Sequence, residues 1–380
     1  MPTRRSFLRR TALGLAGAAP ACFGRPQEAA PVARPKVLVA IFQRGAADGL
    51  NMVVPHGESA YYRLRRGIAV PRPTSNAARR DGAALELDGF FGLHPALAPL
   101  QPLYAARELA IIHAVGSPHP TRSHIDAQEF MESGAPGMKS RDGWLNRLLA
   151  EAPGNASPLR AVAVSGSLPG ALRGTAPAFP VHSTSEEHAQ ARALLQAIRR
   201  RGYSPAAGVE YPRSPLASAL LQIAQLIKSG AGVEAAFAES GGWDHHVAPA
   251  GVHTLESPLA MRLREFAQAL SAFRTDLGSR MEDVVVVTMS EFGRTAAGNA
   301  SGGTDHGHAN AMFALGGPVR GGKVYGPWPG LEREQLHPSG GLALGTDFRD
   351  VLSELAAWQA GKDCGGSLFP GHSAVPVGVA

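Results

Sequence analysis

DVVVVTMSEFGRTAAGNASGGTDHGHANAMFALGG, residues 283–317, is the stretch that decides the fold. Its β-branched run at residues 284–288 is typical of a strand buried on both faces of a parallel sheet. A polar turn containing Glu291 follows, and a loop of small residues then leads to a second apolar run at 311–315. That loop ends in Asp305, His306, Gly307 and His308. Carboxylate and imidazole groups are ligands of zinc and other divalent cations. A solvated glycine-rich loop is the alternative interpretation.

Three other apolar runs end in polar segments of the same kind. The runs are residues 36–42, 109–115 and 233–238; the polar residues are Asp48 after the first, Thr121, Arg122 and Ser123 after the second, and Asp244 and His246 after the third. Helices are predicted between the runs, one of them over residues 258–277. This alternation predicts an α/β fold with a mostly parallel sheet flanked by helices. The carboxyl ends of parallel strands share one edge, so we expect one common site there.

Two of these residues have a simpler interpretation. Asp48 follows its strand in a glycine- and alanine-containing turn, where an aspartate often hydrogen-bonds the turn itself. Ser123 precedes Asp126 by three residues, a spacing close to a capping box, and this predicts an N-cap. A hydroxyl at a helix start is also placed where backbone N–H groups favour an anion, which suits a nucleophile. Thr121 is a second candidate for that role, and the pattern leaves these alternatives open.

The amino-terminal residues predict export. Arg4 and Arg5 form a twin-arginine pair, a short apolar segment follows at residues 11–21, and the segment ends in small residues. That segment is too short to anchor the chain across a bilayer. Cys22 comes next, so lipidation there is the membrane attachment that the sequence suggests. We therefore expect a twin-arginine signal peptide and linker over residues 1–35, a single domain over 36–380 and a periplasmic or other extracytoplasmic location.

The amino-acid composition argues against a nucleic-acid partner and against one class of enzyme. Lys and Arg number 37 against 31 Asp and Glu, which leaves a formal net charge of +6. Four of these positive charges lie within the first ten residues, and the remaining arginines are scattered along the chain. No segment concentrates basic residues, so a nucleic-acid partner is not expected. Neither a Gly-x-Gly-x-x-Gly motif nor a cysteine cluster is present, which disfavours a cofactor-dependent oxidoreductase.

Five motifs in the chain resemble those of an exported bacterial family of unknown function, DUF1501. They occur in order along the chain after the leader, and that family is in turn similar to the alkaline phosphatase and sulfatase superfamily. The motifs are RGAADGLN at 44–51, TRSHIDAQ at 121–128, GWDHH at 242–246, SEFGRT at 290–295 and GTDHGH at 303–308.

The resemblance implies an alkaline phosphatase-like α/β domain that hydrolyses phosphate or sulfate esters. Ser123 or Thr121 would be the nucleophile, and Arg122 would lie beside the anionic small-molecule or polymer substrate, with Arg44 and Arg294 as alternative anion clamps. The cofactor would be one or two divalent metal ions, whether zinc, calcium or another. The implied metal ligands are Asp48, Asp244, His246, Glu291, Asp305, His306 and His308.

Two departures from the superfamily pattern favour a second hypothesis. Phe292 stands where the superfamily has a histidine after its acidic ligand, and the Asp244-x-His246 spacing is tighter than usual. Each departure puts a ligand position in question. The alternative function is a catalytically inactive metal- or anion-binding envelope protein of the same fold.

Overall fold

A mixed sheet runs through the protein and carries every predicted site segment. The computed structural model describes residues 34–76, 82–151, 154–247 and 256–380. The predicted twin-arginine pair and Cys22 lie outside the described residues. Pro35–Ala380 forms one compact unit.

The described strands alternate with helices along most of the chain. The strands are β1 (Val37–Gln43), β2 (Val53–Val54), β3 (Leu85–Glu86), β4 (Gly92–Leu93), β5 (Leu109–Gly116), β6 (Ala161–Ala163), β7 (Phe179–Pro180), β8 (Ala235–Ser240), β9 (Val284–Met289), β10 (Asn310–Gly316), β11 (Val324–Tyr325) and β12 (Thr346–Asp347). The α-helices are α1 (Gly49–Met52), α2 (Ser59–Leu64), α3 (Gln101–Ala105), α4 (His124–Ser133), α5 (Trp144–Glu151), α6 (Ala189–Arg200), α7 (Pro215–Lys228), α8 (Pro258–Leu277), α9 (Phe348–Ala360) and α10 (Gly365–Leu368).

The main sheet has the order β11-β5-β10-β9-β1-β8-β6-β7, with β12 also pairing with β5. β10 is antiparallel to both of its neighbours, whereas the other described pairings in this sheet are parallel. A small antiparallel sheet, β2-β4-β3, stands apart. The predicted fold class, a mostly parallel sheet flanked by helices, is therefore confirmed.

Both faces of the sheet are covered, as the continuous apolar runs predicted. On β1, Val39 and Ile41 face one hydrophobic cluster, which also contains apolar residues of α7 and α8. Leu38 and Phe42 face the opposite cluster, which contains residues of α5 and α9. Strands buried on both faces need apolar residues at every position, and this explains the runs in the sequence. No helix within the described ranges has the length and apolar character needed to cross a membrane.

Most predicted boundaries lie within one or two residues of the observed ones. The largest shift among the motif-bearing strands is in β8, which was predicted over residues 233–238 and begins at Ala235. Its start is set by pairing, since Ala235 lies opposite Leu38 of β1. The helix predicted over 258–277 has those bounds in α8, and the Ser257 hydroxyl caps it by accepting from Ala260 N at 3.1 Å.

Asp276, near the end of α8, joins that helix to α7 and to the segment between α6 and α7. Its buried carboxylate accepts hydrogen bonds from Tyr203 Oη at 2.6 Å, Ala206 N at 2.8 Å, Tyr211 Oη at 2.9 Å and Lys228 Nζ at 2.8 Å. Burial acts to raise the pKa of Asp276, but these donors outweigh it and hold the pKa below its ordinary value. The carboxylate therefore stabilises the helical layer while it is ionised.

Replacing Asp276 with asparagine should destabilise the protein by about 2–4 kcal/mol near neutral pH, because Lys228 loses its buried anion. The folded pKa of Asp276 is depressed, so its contribution is complete above the unfolded pKa and is lost as pH falls through the folded value. The gap between wild type and Asp276→Asn should therefore shrink below about pH 4. Denaturant melts over a pH series measure this. The exposed Glu186→Gln variant serves as control, and a gap that widens in acid would contradict the assignment.

Candidate metal centre

The predicted site residues lie at one edge of the sheet. The carboxyl ends of β1, β5, β8 and β9 share this edge because these strands are parallel to one another. β10 runs the other way, so the loop that enters it, with Asp305, His306 and His308, starts from the same edge. Four loops therefore contribute side chains here, since the loop after β9 is the one that enters β10.

Asp244 is at the centre of the closest group of potential ligands, which we call the histidine–aspartate cluster: His124, Asp244, His246 and His306. One ligand atom from each of His124, Asp244 and His306 lies within 4.8 Å of the others. The Oδ1 atom of Asp244 is 3.0 Å from His246 Nε2 and 3.4 Å from His306 Nε2, and its Oδ2 atom is 3.6 Å from His124 Nε2. Three imidazoles and a carboxylate are a donor set that fits a divalent transition-metal ion.

Arg294 holds the Asp244 carboxylate in place. Its Nη1 atom donates to Asp244 Oδ1 at 2.7 Å, and the buried guanidinium also donates to the hydroxyl and carbonyl oxygens of Thr304. Burial acts to raise the pKa of Asp244, but Arg294, together with His246 and His306, lowers it below its ordinary value. Asp244 is therefore ionised at neutral pH, as a metal ligand must be.

Glu291 lies behind the cluster. Its Oε1 atom accepts from Gly45 N, His124 Nδ1 and Gln128 Nε2, each at 2.9 Å, and its Oε2 atom accepts from the Ser290 hydroxyl at 2.9 Å. Burial acts to raise the pKa of Glu291, yet these hydrogen bonds, led by that from Gln128, bring it below its ordinary value. Glu291 contacts the cluster through His124.

Asp48 is paired with a buried arginine. Asp48 Oδ2 accepts from Arg65 Nη1 at 2.7 Å, and the fully buried Arg65 also donates to the carbonyls of Thr295 and Ala296. Asp48 precedes α1, but its side chain does not cap that helix. The structure therefore places Asp48 outside the histidine–aspartate cluster, in an ion pair that positions the loop after β9.

The other two predicted ligands differ in their relation to the cluster. Asp305 Oδ1 lies 3.2 Å from His246 Nδ1 and accepts from Asn299 Nδ2 at 3.1 Å, and these contacts hold the Asp305 pKa below its ordinary value. His308 is buried and stacks on His337, with the ring centroids 3.9 Å apart. Burial and then His337 lower the pKa of His308 to about 4. Asp305 adjoins the cluster, whereas His308 stacks outside it.

The predicted nucleophile segment precedes His124 directly. Ser123 is exposed, and its hydroxyl accepts from Asp126 N at 3.4 Å, so it is the N-cap of α4. Thr121 Oγ1 accepts from Ser123 N at 3.2 Å. The Arg122 side chain is exposed, and its carbonyl oxygen accepts from His306 Nδ1 at 3.1 Å. Both hydroxyls thus belong to the segment that delivers His124 to the cluster.

His124 is the site residue that sequence reasoning missed. The sequence feature that could have identified it is its position directly after Ser123, at the start of a helix that follows a strand. Phe292, one of the two departures noted in the sequence, is buried, with its ring centroid 5.1 Å from that of His124 and 4.9 Å from that of His306. Phe292 therefore packs against two rings of the cluster.

Fold and site together define an α/β protein whose sheet edge carries a cluster of histidines and a carboxylate. Residues 206–366 match the model of DUF1501, described as a protein of unknown function, which confirms the motif resemblance in that part of the chain. No curated protein matches the chain.

Several solved structures are similar to this chain at low identity. The carboxyl-terminal periplasmic domain of EcEptC from Escherichia coli, in complex with Zn, is 11% identical with a TM-score of 0.37, over 75% of this chain and 73% of that one. Alkaline phosphatase from the Antarctic bacterium TAB5 is 10% identical with a TM-score of 0.33, over 75% and 92%. PsFucS1 sulfatase from Pseudoalteromonas sp. is 13% identical with a TM-score of 0.36, over 87% and 68%. At these scores the likeness carries no argument about the chemistry of this chain.

Removing a residue of the cluster should weaken metal binding. The variants His124→Ala, Asp244→Ala and His246→Ala should each lower zinc affinity by at least about 10- to 100-fold, the loss typical of cutting even an indirect metal contact. Metal content after purification without chelator, together with zinc titration of the apo protein, measures this. His182→Ala, an exposed histidine outside the cluster, is the control. Equal metal content in all four variants would refute a site here, provided that circular dichroism shows intact folding.

Proposed function

We propose that the protein is an exported, divalent-metal-dependent hydrolase of phosphate or sulfate esters. The observation that carries the proposal is the histidine–aspartate cluster, reached by a segment that bears two hydroxyl groups. Ser123 stands directly before the cluster residue His124, at the amino end of α4. The backbone N–H groups at a helix start favour an anion, which suits a phosphate or sulfate group at this place.

Ser123 is the proposed nucleophile, with Thr121 as the second candidate. The serine oxygen would form a bond to phosphorus or sulfur as the bond to the leaving alcohol breaks, and water would then hydrolyse the serine ester. A bound divalent ion supplies charge that stabilises the ester oxygens and favours ionisation of a nearby hydroxyl. Ser123 is exposed, so an ester substrate can reach it from solvent.

Arg122 is the arginine best placed to bind the anion. Arg44 is engaged by Glu132 at 2.5 Å and Glu239 at 2.6 Å, and Arg294 is buried against Asp244. The Arg122 side chain is exposed and neighbours Ser123 in the chain. A guanidinium matches the geometry of two anionic oxygens, so Arg122 would hold the substrate against the nucleophile.

Substitutions of Ser123 can distinguish its role as a nucleophile from its role as a helix cap. Ser123→Ala should lose about 1 kcal/mol of stability because an N–H at the start of α4 goes unpaired, whereas Ser123→Asn should restore that stability. Neither variant can form the serine ester, so both should lose hydrolysis of an aryl phosphate or sulfate. Melting curves and an ester assay with several divalent metals measure the two properties.

Ser214→Ala is the matched control, since Ser214 caps α7 in the same way, by accepting from Ala217 N. It should lose stability without losing turnover. Activity retained in Ser123→Asn would make Ser123 only a cap and move the proposal to Thr121. If the wild-type protein binds metal but hydrolyses no ester with any metal tested, the hydrolase proposal is overturned. That result would support the alternative, an inactive metal-binding protein.

The proposal that the protein is exported rests on the sequence pattern. Residues 1–35 are the proposed twin-arginine signal peptide and linker, and residues 36–380 are the domain that would be exported. Replacing Arg4 and Arg5 with lysine keeps the charge but removes the paired guanidinium groups, so the protein should stay in the cytoplasm. Cell fractionation with immunodetection measures the distribution. Unchanged delivery of the doubly substituted protein to the periplasm would contradict export by this pathway.

A further inference from the structure

Each histidine of the cluster is held from behind by an oxygen. Nδ1 of His124 is 2.9 Å from Glu291 Oε1, Nδ1 of His246 is 3.2 Å from Asp305 Oδ1, and Nδ1 of His306 is 3.1 Å from the carbonyl oxygen of Arg122. Carboxylate and carbonyl oxygens accept hydrogen bonds, so each Nδ1 carries the proton and donates it. When such a ring is neutral, its Nε2 atom presents a lone pair.

These three lone pairs converge on Asp244. Nε2 of His246 lies 3.0 Å from Asp244 Oδ1 and 3.0 Å from Nε2 of His306. Nε2 of His306 lies 3.4 Å from Asp244 Oδ1, and Nε2 of His124 lies 3.6 Å from Asp244 Oδ2. A single cation here could be shared by the Asp244 carboxylate and the three Nε2 atoms. Arg294 donates to Asp244 and Thr304, so a cation is the partner that suits the histidine nitrogens.

The four separations just given, 3.0 to 3.6 Å, are compatible with zinc coordination. Two ligands about 2.0–2.1 Å from a tetrahedral zinc ion lie about 3.3 Å apart. Calcium and magnesium prefer sets of oxygen ligands, and three imidazole nitrogens do not supply them.

We propose that Nε2 of His124, His246 and His306 and the carboxylate of Asp244 bind a single ion of the zinc class in tetrahedral geometry. Glu291 and Asp305 are then positioning residues rather than ligands. This inference deepens the metal site of the proposed function and does not depend on hydrolysis. The Asp244 side chain is 42% exposed, so a substrate oxygen can approach from solvent, as zinc sites that expand to five ligands allow.

A further hydrogen bond supports the positioning role of Glu291. The amide of Gln128 donates to Glu291 Oε1 at 2.9 Å and accepts from Arg44 Nη1 at 3.1 Å, so its orientation is set at both ends. Gln128 therefore keeps Glu291 facing His124. Outer partners of this kind orient ligand histidines and raise their basicity.

Cobalt substitution tests the proposal, because tetrahedral Co²⁺ absorbs visible light far more strongly than octahedral Co²⁺. The apo protein should bind one Zn²⁺ or one Co²⁺ per chain, and the Co²⁺ form should absorb strongly. His246→Ala should weaken that absorption and lower zinc affinity by more than about 100-fold, beyond the range typical of an outer contact.

The positioning variants should behave differently from ligand variants. Glu291→Gln and Asp305→Asn should lower zinc affinity by about 10- to 100-fold while the Co²⁺ form keeps its strong absorption. Glu129→Gln, an exposed acid on α4, is the matched control and should bind zinc as wild type does. Asp305 has a 58% exposed side chain, so its variant tests the same role if Glu291→Gln fails to fold.

Three results would overturn the proposal: two ions per chain, weak octahedral absorption of the wild-type Co²⁺ form, or zinc affinity in His246→Ala equal to that of the control. Strong absorption that vanishes in Asp305→Asn would also overturn it, by making Asp305 a ligand. Tetrahedral binding without ester hydrolysis would support this inference and overturn the proposed hydrolase. Ester hydrolysis without binding of a zinc-class ion would support the proposed hydrolase and overturn this inference.

Discussion

The buried carboxylate of Glu291 is the constraint on which the site edge depends. An ionised carboxylate removed from water costs several kcal/mol unless donors replace its hydration. Here the donors come from three separate segments: the turn after β1, the start of α4 and the end of β9. The Glu291 carboxylate has all of its hydrogen-bond donors only when these three segments meet. The same contacts fix the orientation of His124. Stability and site geometry are coupled through one side chain.

Two buried arginines perform a related task for the long loop between β9 and β10. Arg65 pairs with Asp48 and donates to the carbonyls of Thr295 and Ala296, while Arg294 joins Asp244 to Thr304. Guanidinium groups suit this role because one group satisfies several acceptors in a plane. The loop approaches so closely that a Cβ atom at Gly307 would clash with the Arg294 carbonyl. This loop is thus held firmly enough to place His306 in the cluster.

The antiparallel direction of β10 places the residues that precede it at the same sheet edge as the other site residues. A parallel β10 would have placed the residues before it at the opposite edge of the sheet, away from Asp244. Because it is antiparallel to both β5 and β9, Asp305 and His306 enter the edge where the other strands end. A carboxylate and a histidine from this loop can then face His246, which follows β8.

The sequence by itself determined the strands, the layered α/β class and the edge at which the polar residues gather, since these depend on local periodicity and on the common direction of parallel strands. It did not determine which acids belong to the histidine–aspartate cluster. Asp48 is paired with Arg65, and Glu291 faces His124 across 167 positions of the chain. Only the tertiary structure decided these partners and brought His124 into the cluster. Donor separations of 3–4 Å depend on the packing of distant segments, which no local pattern encodes.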